Sequence, residues 1–407
     1  MDFAVRTITE DEVPSWCGAM NTGFLNPAGD VDAEARRPGL HLDRTWGGFD
    51  GGRMVATLRS FPCQMTVPGG GALAASAVTA VTTTSTHRRR GLASRLIAAE
   101  LAASRERGEP VSILIAAEWR IYGRFGYGPA TEHQTWTVDA GAARLRQPPR
   151  GSVEYADRDT ARALAPEVYQ RHRVARPGEI SRPGRFWDID FGILRYPSWP
   201  DPRPALSVVA RDCAGAAIGV ARYAFEEKWA GRQPRGQVSV QLFVTGEAAA
   251  EALLWNHLLS LDLVSSVRVE DRPADELLPW LLTDARHAQP SDRSDFLWLR
   301  PLDVAGMLAA RSYLVPGRVV LDVVDTGGLT GGRFALDAGP DGACCVPTTA
   351  SADLILDVAA LGSIYLGGYR VRTLAAVGLI DEHSPGAVAR ADAMFRCPVT
   401  PWCSTWF

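Results

Sequence analysis

Between residues 73 and 108 the chain passes from a β-branched strand straight into a basic, glycine-containing turn and then into an amphipathic helix. The strand, residues 73–83, ends in Val78-Thr79-Ala80-Val81-Thr82-Thr83. The turn holds Arg88, Arg89, Arg90 and Gly91, and the helix sets Leu92, Leu96, Ala99 and Ala103 on one face before stopping near Gly108. Apolar spacing near 3.6 following a β-branched run is the pattern of a strand feeding a helix. The first N–H groups of a helix are unpaired and partly positive, so this joint suits a pyrophosphate. Gly91 lets the backbone come close, small Ala93 avoids a clash, and the arginines add forked charge. A solvated basic turn before an ordinary helix is the competing reading.

The flanking sequence alternates in the same way. Residues 10–24 read as a helix, 54–60 and 64–67 as strands, and 68–71 (Pro-Gly-Gly-Gly) as a turn. A short apolar strand at 111–116 suits burial on both faces. One helical turn at 121–125 and a closing strand at 131–138 follow, and Pro148-Pro149-Arg150-Gly151 marks a boundary. From 152 to 288 the order returns in weaker form: a helix at 161–172, strands at 206–211, 217–224 and 237–245, a helix at 247–259 and a strand at 264–269. Here only Gly246 separates strand from helix, and Glu247 in the first turn repels phosphate, so one cofactor site per chain is expected. The third stretch carries strands at 296–300 and 318–324 around a helix at 304–310. An apolar element at 352–361 and an aromatic tail ending at Phe407 complete it. At 407 residues two or three domains are expected.

Composition closes off several functions. A formal charge of −3 offers no basic stripe for nucleic acid, and no window of about 18 apolar residues predicts a membrane span. Met1-Asp2-Phe3 lacks a charged, apolar leader, so a cytoplasmic protein is expected. The seven cysteines form no C-x-x-C pair, which suggests neither a disulfide framework nor a metal site; buried, inert thiols are expected. Lys228 is the single lysine and no phosphate-loop motif surrounds it, which argues against Schiff-base or Walker chemistry. His87 and His133 flank the segment without a nucleophile signature, so surface or packing roles are expected.

Residues 116–130 read Ala-Ala-Glu-Trp-Arg-Ile-Tyr-Gly-Arg-Phe-Gly-Tyr-Gly-Pro-Ala, with Tyr122 four residues before the Gly126-Tyr127 pair. Alone, such a tyrosine reads as packing. Combined with Thr86-His87-Arg88-Arg89-Arg90-Gly91-Leu92, the segment resembles the GNAT acetyltransferase superfamily and, more narrowly, the Eis family. The resemblance extends over nearly the whole chain. It implies an α/β (α+β) protein of tandem GNAT folds with mixed central sheets, catalytic at 1–150 and degenerate at 151–290. A sterol-carrier-protein-like α+β domain at 291–407 follows, with its C-terminus reaching the active site; the stretches 297–304 and 357–367 carry that part more weakly.

The resemblance further implies acetyl-CoA as co-substrate, with no metal. The backbone at Val81, Thr82 and Thr83 holds the pantetheine arm. Arg88, Arg89, Arg90, Gly91, Leu92, Ala93 and Ser94 wrap the pyrophosphate, and Ala117 and Glu118 line the thioester end. Tyr122 is the general acid and the α-carboxylate of Phe407 the base, in direct N-acetyl transfer. A symmetric homo-oligomer, often a hexamer, is the implied assembly. The implied partner is a small-molecule primary amine: an aminoglycoside, a lysine-like amine or an arylalkyl amine. Beside Phe24, Asn26 carries an amide where an acid would favour polycations. Asp30, Asp32 and Glu34 either supply that charge or form a solvated loop, and Trp406 in the tail suits aryl amines. The alternative function is a non-catalytic effector that binds lipid or acetyl-CoA.

Overall fold

The computed structural model describes residues 3–201 and 203–407; Met1 and Asp2, where the absence of a leader was read, lie outside them. Three sheets organise the chain. The first has the order β1 (Ala4–Thr7), β2 (Thr45–Asp50), β3 (Arg53–Thr66), β4 (Ala72–Thr83), β5 (Val111–Ile115), β16 (Leu297–Pro301) and β6 (Gly128–Pro129). Its β4–β5 pair alone is parallel. With it go α1 (Val13–Gly23), α2 (Ala33–Arg36), α3 (Leu92–Glu106) and α4 (Trp119–Tyr122). Strand β3 runs 14 residues where two strands were expected, because Phe61 and Cys63 both turn into the core and carry the strand across Pro62.

The second sheet has the order β15 (Ala288–Asp295), β7 (Glu132–Asp139), β14 (Val264–Arg272), β13 (Gly236–Thr245), β10 (Ala217–Glu226), β9 (Leu206–Arg211) and β8 (Ser152–Ala156). A small hairpin, β11 (Trp229–Ala230) and β12 (Gln233–Pro234), stands apart from it. Its helices are α5 (Arg158–Ala175), α6 (Gly184–Asp190), α7 (Ala248–Leu259) and α8 (Leu278–Leu281). The third sheet runs β19 (Gly342–Pro347), β18 (Gly332–Gly339), β17 (Gly317–Val324), β20 (Leu354–Asp357) and β21 (Ile380–Glu382). Around it lie α9 (Val304–Ala310), α10 (Val358–Tyr365), α11 (Val371–Ala376) and α12 (Ala387–Met394). Among the described residues no helix is long and apolar enough to cross a membrane.

Two strands stand where chain order does not put them. The strand read as closing the first stretch, β7, lies between β14 and β15 in the second sheet. The strand read as opening the third stretch, β16, enters the first sheet between β5 and β6. The reason is burial: Leu297 and Leu299 point to one face and Trp298 to the other, and all are buried. Only an interior position in a sheet covered on both faces satisfies such a strand. Gly126 and Gly128, before and within β6, allow the third unit to close in. A Cβ on Gly128 would lie 2.0 Å from the Ala359 carbonyl of α10, and one on Gly126 would lie 2.6 Å from Arg300 Nε. Arg300 itself is buried, donating to Phe125 O (2.8 Å) and pairing with Asp325 (2.7 Å).

Period-two alternation gives the first sheet two distinct faces. Phe61, Cys63, Ala75, Ala77, Val111 and Ile113 join the core shared with the third unit, whereas Leu58, Val78 and Leu114 pack with Leu92, Leu96 and Ile97 of α3. On that second face α3 buries Glu100. Its carboxylate accepts from Trp46 Nε1 (2.6 Å), Ser60 Oγ (2.6 Å), Ser76 Oγ (2.9 Å), Ser104 Oγ (3.0 Å) and Arg107 Nη2 (2.6 Å). One side chain thus fastens the helix to β2, β3 and β4. Glu100→Ala should lower unfolding stability by about 3–5 kcal/mol, the range for removing one partner of a buried ion pair. Glu100→Gln, which keeps an acceptor, should lose less, and guanidinium titration of both variants compares them.

Candidate active site

Strands β4 and β5 pair from Ala75↔Val111 to Val78↔Leu114 and then part, although β4 continues to Thr83. A fork opens, and the edge of β4 from Thr79 onward has no β5 partner. A bulge sharpens it. The β3–β4 register shifts between Thr57 and Arg59, and Ala80 takes φ +53°, a left-handed conformation rare outside glycine. Thr57 pins this bend, its buried hydroxyl donating to Ala80 O (2.9 Å) and lying 2.7 Å from Thr82 Oγ1. Of the expected residues here, Thr82 is buried, Val81 and Thr83 are half-buried, and the buried Thr83 Oγ1 lacks a hydrogen-bond partner. The bulge had no sequence signal, because no glycine marks it.

Beyond the fork the chain turns through Arg88–Arg90, all exposed, with Arg89 at φ +61° and Gly91 at +81°. Gly91 caps α3, and among the described residues nothing lies within 4 Å of the position a Cβ would take there. Leu92 is buried into the α3 face of the sheet; Ala93 and Ser94 are half-exposed at the helix start. His87 is structural, as expected: its Nε2 lies 3.1 Å from Asp50 Oδ2 and its Nδ1 2.8 Å from Thr86 Oγ1. His133 likewise bridges Asp271 (2.6 Å) and Ser294 (2.7 Å).

On the other side of the fork, Ala117 and Glu118 are exposed past the end of β5, and α4 brings Tyr122 back against the α3 face. Two tyrosines meet here, ring centroids 6.2 Å apart, and their surroundings distinguish them. Tyr127 is sealed in, its hydroxyl 2.7 Å from buried Ser112 Oγ. Tyr122 is 7% exposed, and among the described residues no protein group pairs with its hydroxyl. Burial, followed by the nearby Glu118 carboxylate, pushes its pKa above the ordinary tyrosine value, so it stays protonated at neutral pH.

The chain end arrives from the opposite face. Phe407 packs edge-on to Phe61 at 5.4 Å, and Phe61 stands in register with Ala77, one residue before the fork opens. Trp406 is 64% exposed and leans on Phe296 at 5.5 Å. The fork therefore lies between a tyrosine on one face of the sheet and the chain terminus on the other.

The turn after α1 also borders the fork, since a Cβ on Gly23 would lie 2.4 Å from Thr82 Cβ. Phe24 is exposed there, and Asn26 uses its Oδ1 to accept from Ala28 N (3.1 Å). The acidic residues behind it are not one group. Asp32 is fully buried, accepting from Ser198 N (2.9 Å) and pairing with Arg36 (3.4 Å), so its charge is spent in docking the second unit. Glu34 pairs with Arg37 (3.0 Å) and Asp30 stays exposed. The seven cysteines are free; Cys17, Cys63, Cys345 and Cys403 are buried, but Cys213 and Cys344 are exposed, against the expectation of uniform burial. Burial pushes the Cys63 thiol up to about 12 and that of Cys17 up to about 11, which leaves neither a thiolate nucleophile.

Comparison with known proteins agrees in all three units. The acetyltransferase (GNAT) domain family matches residues 4–130, a second acetyltransferase (GNAT) domain family matches 178–301, and the sterol carrier protein domain family matches 304–404. The chain is 44% identical to an "Uncharacterized N-acetyltransferase" of Streptomyces griseus subsp. griseus, over 100% of both chains. It is 33% identical to N-acetyltransferase Eis of Mycobacterium tuberculosis, over 98% of each. The crystal structure of Eis1 from Mycobacterium abscessus superimposes with a TM-score of 0.86 at 32% identity, covering 99% of this chain and 100% of that one.

Thr57→Val should test how the bend is held. It keeps the side-chain shape but strands buried polar groups, at a cost of about 1–3 kcal/mol in a urea titration.

Proposed function

The chain belongs to the Eis family of GNAT N-acetyltransferases, and we propose that it transfers an acetyl group from acetyl-CoA directly to the primary amine of a small molecule within a ternary complex. The observation that carries this is the fork between β4 and β5, with Tyr122 on one face and Phe407 on the other. The residues present fit the co-substrate. Unpaired β4 backbone and the partnerless Thr83 hydroxyl suit the amides of a pantetheine arm along Val81, Thr82 and Thr83. Thr82 offers its backbone there, because its hydroxyl is engaged with Thr57. Open space beside Gly91 at the start of a 15-residue helix suits the pyrophosphate, with Arg88, Arg89, Arg90, Leu92, Ala93 and Ser94 around it. Ala117 and Glu118 flank the thioester end.

When bound, acetyl-CoA supplies an activated acyl carbon and a thiolate leaving group. Tyr122 gives its hydroxyl proton to the departing sulfur. Its raised pKa keeps it neutral, whereas a free thiol ionises near about 8.5. The α-carboxylate of Phe407 orients the incoming ammonium and takes its proton through water. The acceptor enters beside Phe24, Asn26 and Trp406. With Asp32 consumed in packing and an amide at Asn26, this entrance favours lysine-like or arylalkyl amines over polycationic aminoglycosides. A cytoplasmic location and a homo-oligomer, hexameric as in the family, belong to the same proposal.

A thiol reporter with acetyl-CoA and a panel of amines tests the reaction. Coenzyme A should appear only when an amine is present; release independent of amine, or none with any amine, overturns the proposal. Tyr122→Phe should lower kcat by roughly 10²–10⁴-fold with acetyl-CoA affinity unchanged, whereas Tyr127→Phe should leave kcat near wild type. Since an acid with a raised pKa holds its proton to higher pH, the alkaline loss of activity belonging to Tyr122 should fall above pH of about 10. Gly91→Val should abolish acetyl-CoA binding by calorimetry, because it adds bulk beside the phosphate site and strains a positive φ.

A further inference from the structure

The second sheet contains a fork of its own. Strands β13 and β14 run parallel and pair from Gly236 to Val240; beyond Val240 and Val269 they part. As β4 leads to α3, so β13 leads to α7. This second fork is walled from within the chain. Trp402 and Ser404 wall the groove between residues 239–244 and 268–272. The Trp402 indole donates to Asp271 O on β14 (3.0 Å), and its backbone N–H donates to Pro177 O (2.9 Å). His172 lies edge-on to its ring at 5.5 Å, and the Arg272 guanidinium is 5.5 Å from the ring centre.

Beside that indole sits a fully buried carboxylate, Glu179. Its Oε2 accepts from Ser404 N (3.1 Å) and from Tyr169 Oη (2.9 Å), while its Oε1 lies 3.2 Å from His172 Nε2 without a hydrogen bond between them. Its backbone carbonyl accepts from Thr66 N at the end of β3 (2.8 Å). Burial alone would push this carboxyl up, but His172 and the Ser404 N–H hold it below the ordinary glutamate value, so it remains charged. Tyr169 Oη also lies 3.2 Å from Thr405 Oγ1. One residue thus joins β3 of the first sheet, α5 of the second unit and the tail. Three residues after Ser404 comes Phe407. An untethered terminus frays, and at about 3.3–3.6 Å per residue even three free residues sweep roughly 10 Å.

We propose that Glu179 is a positioning residue for the acceptor half of the reaction, holding the tail in the fork of the second sheet so that the chain end meets the fork of the first. This rests on the reading of Phe407 as the base. The second unit then serves as a socket, and its fork holds a tryptophan where the first is open.

The test uses the full chain with Glu179→Ala, Trp402→Ala and Glu179→Gln, measuring steady-state kinetics and trimming by carboxypeptidase followed by intact mass. Both alanine variants should lose kcat by about 10–100-fold with the KM for acetyl-CoA unchanged, and should lose Phe407 and Trp406 to the protease faster than wild type. Glu179→Gln still accepts from Ser404 N–H and should recover both properties. If Glu179→Ala does not fold, Trp402→Ala decides. Tails as resistant as wild type with full kcat overturn the proposal and leave the Phe407 reading standing. Tails readily trimmed with full kcat overturn both. A kcat loss with the tail still protected, or a glutamine variant as impaired as alanine, overturns the positioning role alone.

Discussion

The first unit depends on a buried carboxylate. Glu100 gathers an indole, three hydroxyls and a guanidinium, and through them fixes α3 against β2, β3 and β4. A helix held by apolar contacts alone can slide along a sheet at small cost, because the hydrophobic effect is non-directional. The three directional bonds to Trp46, Ser60 and Ser76 remove that freedom. The start of α3, with Gly91 at its cap, is therefore aimed where β4 leaves β5. The desolvation cost of one charge is offset by the five donors gathered on it, and buried polar networks satisfied in this way specify a single arrangement.

The two seven-stranded sheets have one plan and different uses. In each a single parallel pair parts part-way along, and the longer strand feeds a helix. The first fork keeps exposed glycine and arginine at its helix start, whereas the second has Glu247 as the cap of α7 and an indole bonded to β14 beside it. The third unit acts on the first from behind. Arg300 and α10 press against the Gly126-Tyr127-Gly128 segment, so the loop that presents Tyr122 is braced by residues 175 and more positions later.

Much of this was legible in the sequence. Strand β4, the basic turn, α3 and the Tyr122 turn lie where residue spacing placed them, because each is a local pattern with a strong period. The order of the second unit was also recoverable, from β9 through β14. What could not be read is non-local. Nothing in residues 131–138 or 296–300 says which sheet each strand joins, since an apolar strand fits any site with two covered faces. The bend at Ala80 is held by Thr57, far from it in sequence, and alanine gives no hint of a positive φ. Asp32 looked like a neighbour of Asp30 and Glu34, yet its partner is Ser198 in the second unit. Small elements such as β1 and α6 were missed because short segments carry too little periodicity.

The exchange of β7 and β16 has a consequence for synthesis. Multidomain chains ordinarily fold from the N-terminus as each unit emerges. Here the first sheet lacks an interior strand until residue 301 has left the ribosome, and β5 meanwhile presents an unpaired edge. The strand that emerges soon after β5 and β6, β7, belongs elsewhere and waits for β14 and β15. The nascent first unit therefore carries an open edge from β5 until β16 emerges, the kind of surface that pairs with a second chain when crowded. Assembly of this protein is governed by the order in which edges are closed, and the β5 edge of its first sheet is closed by a strand made after every strand of its second sheet.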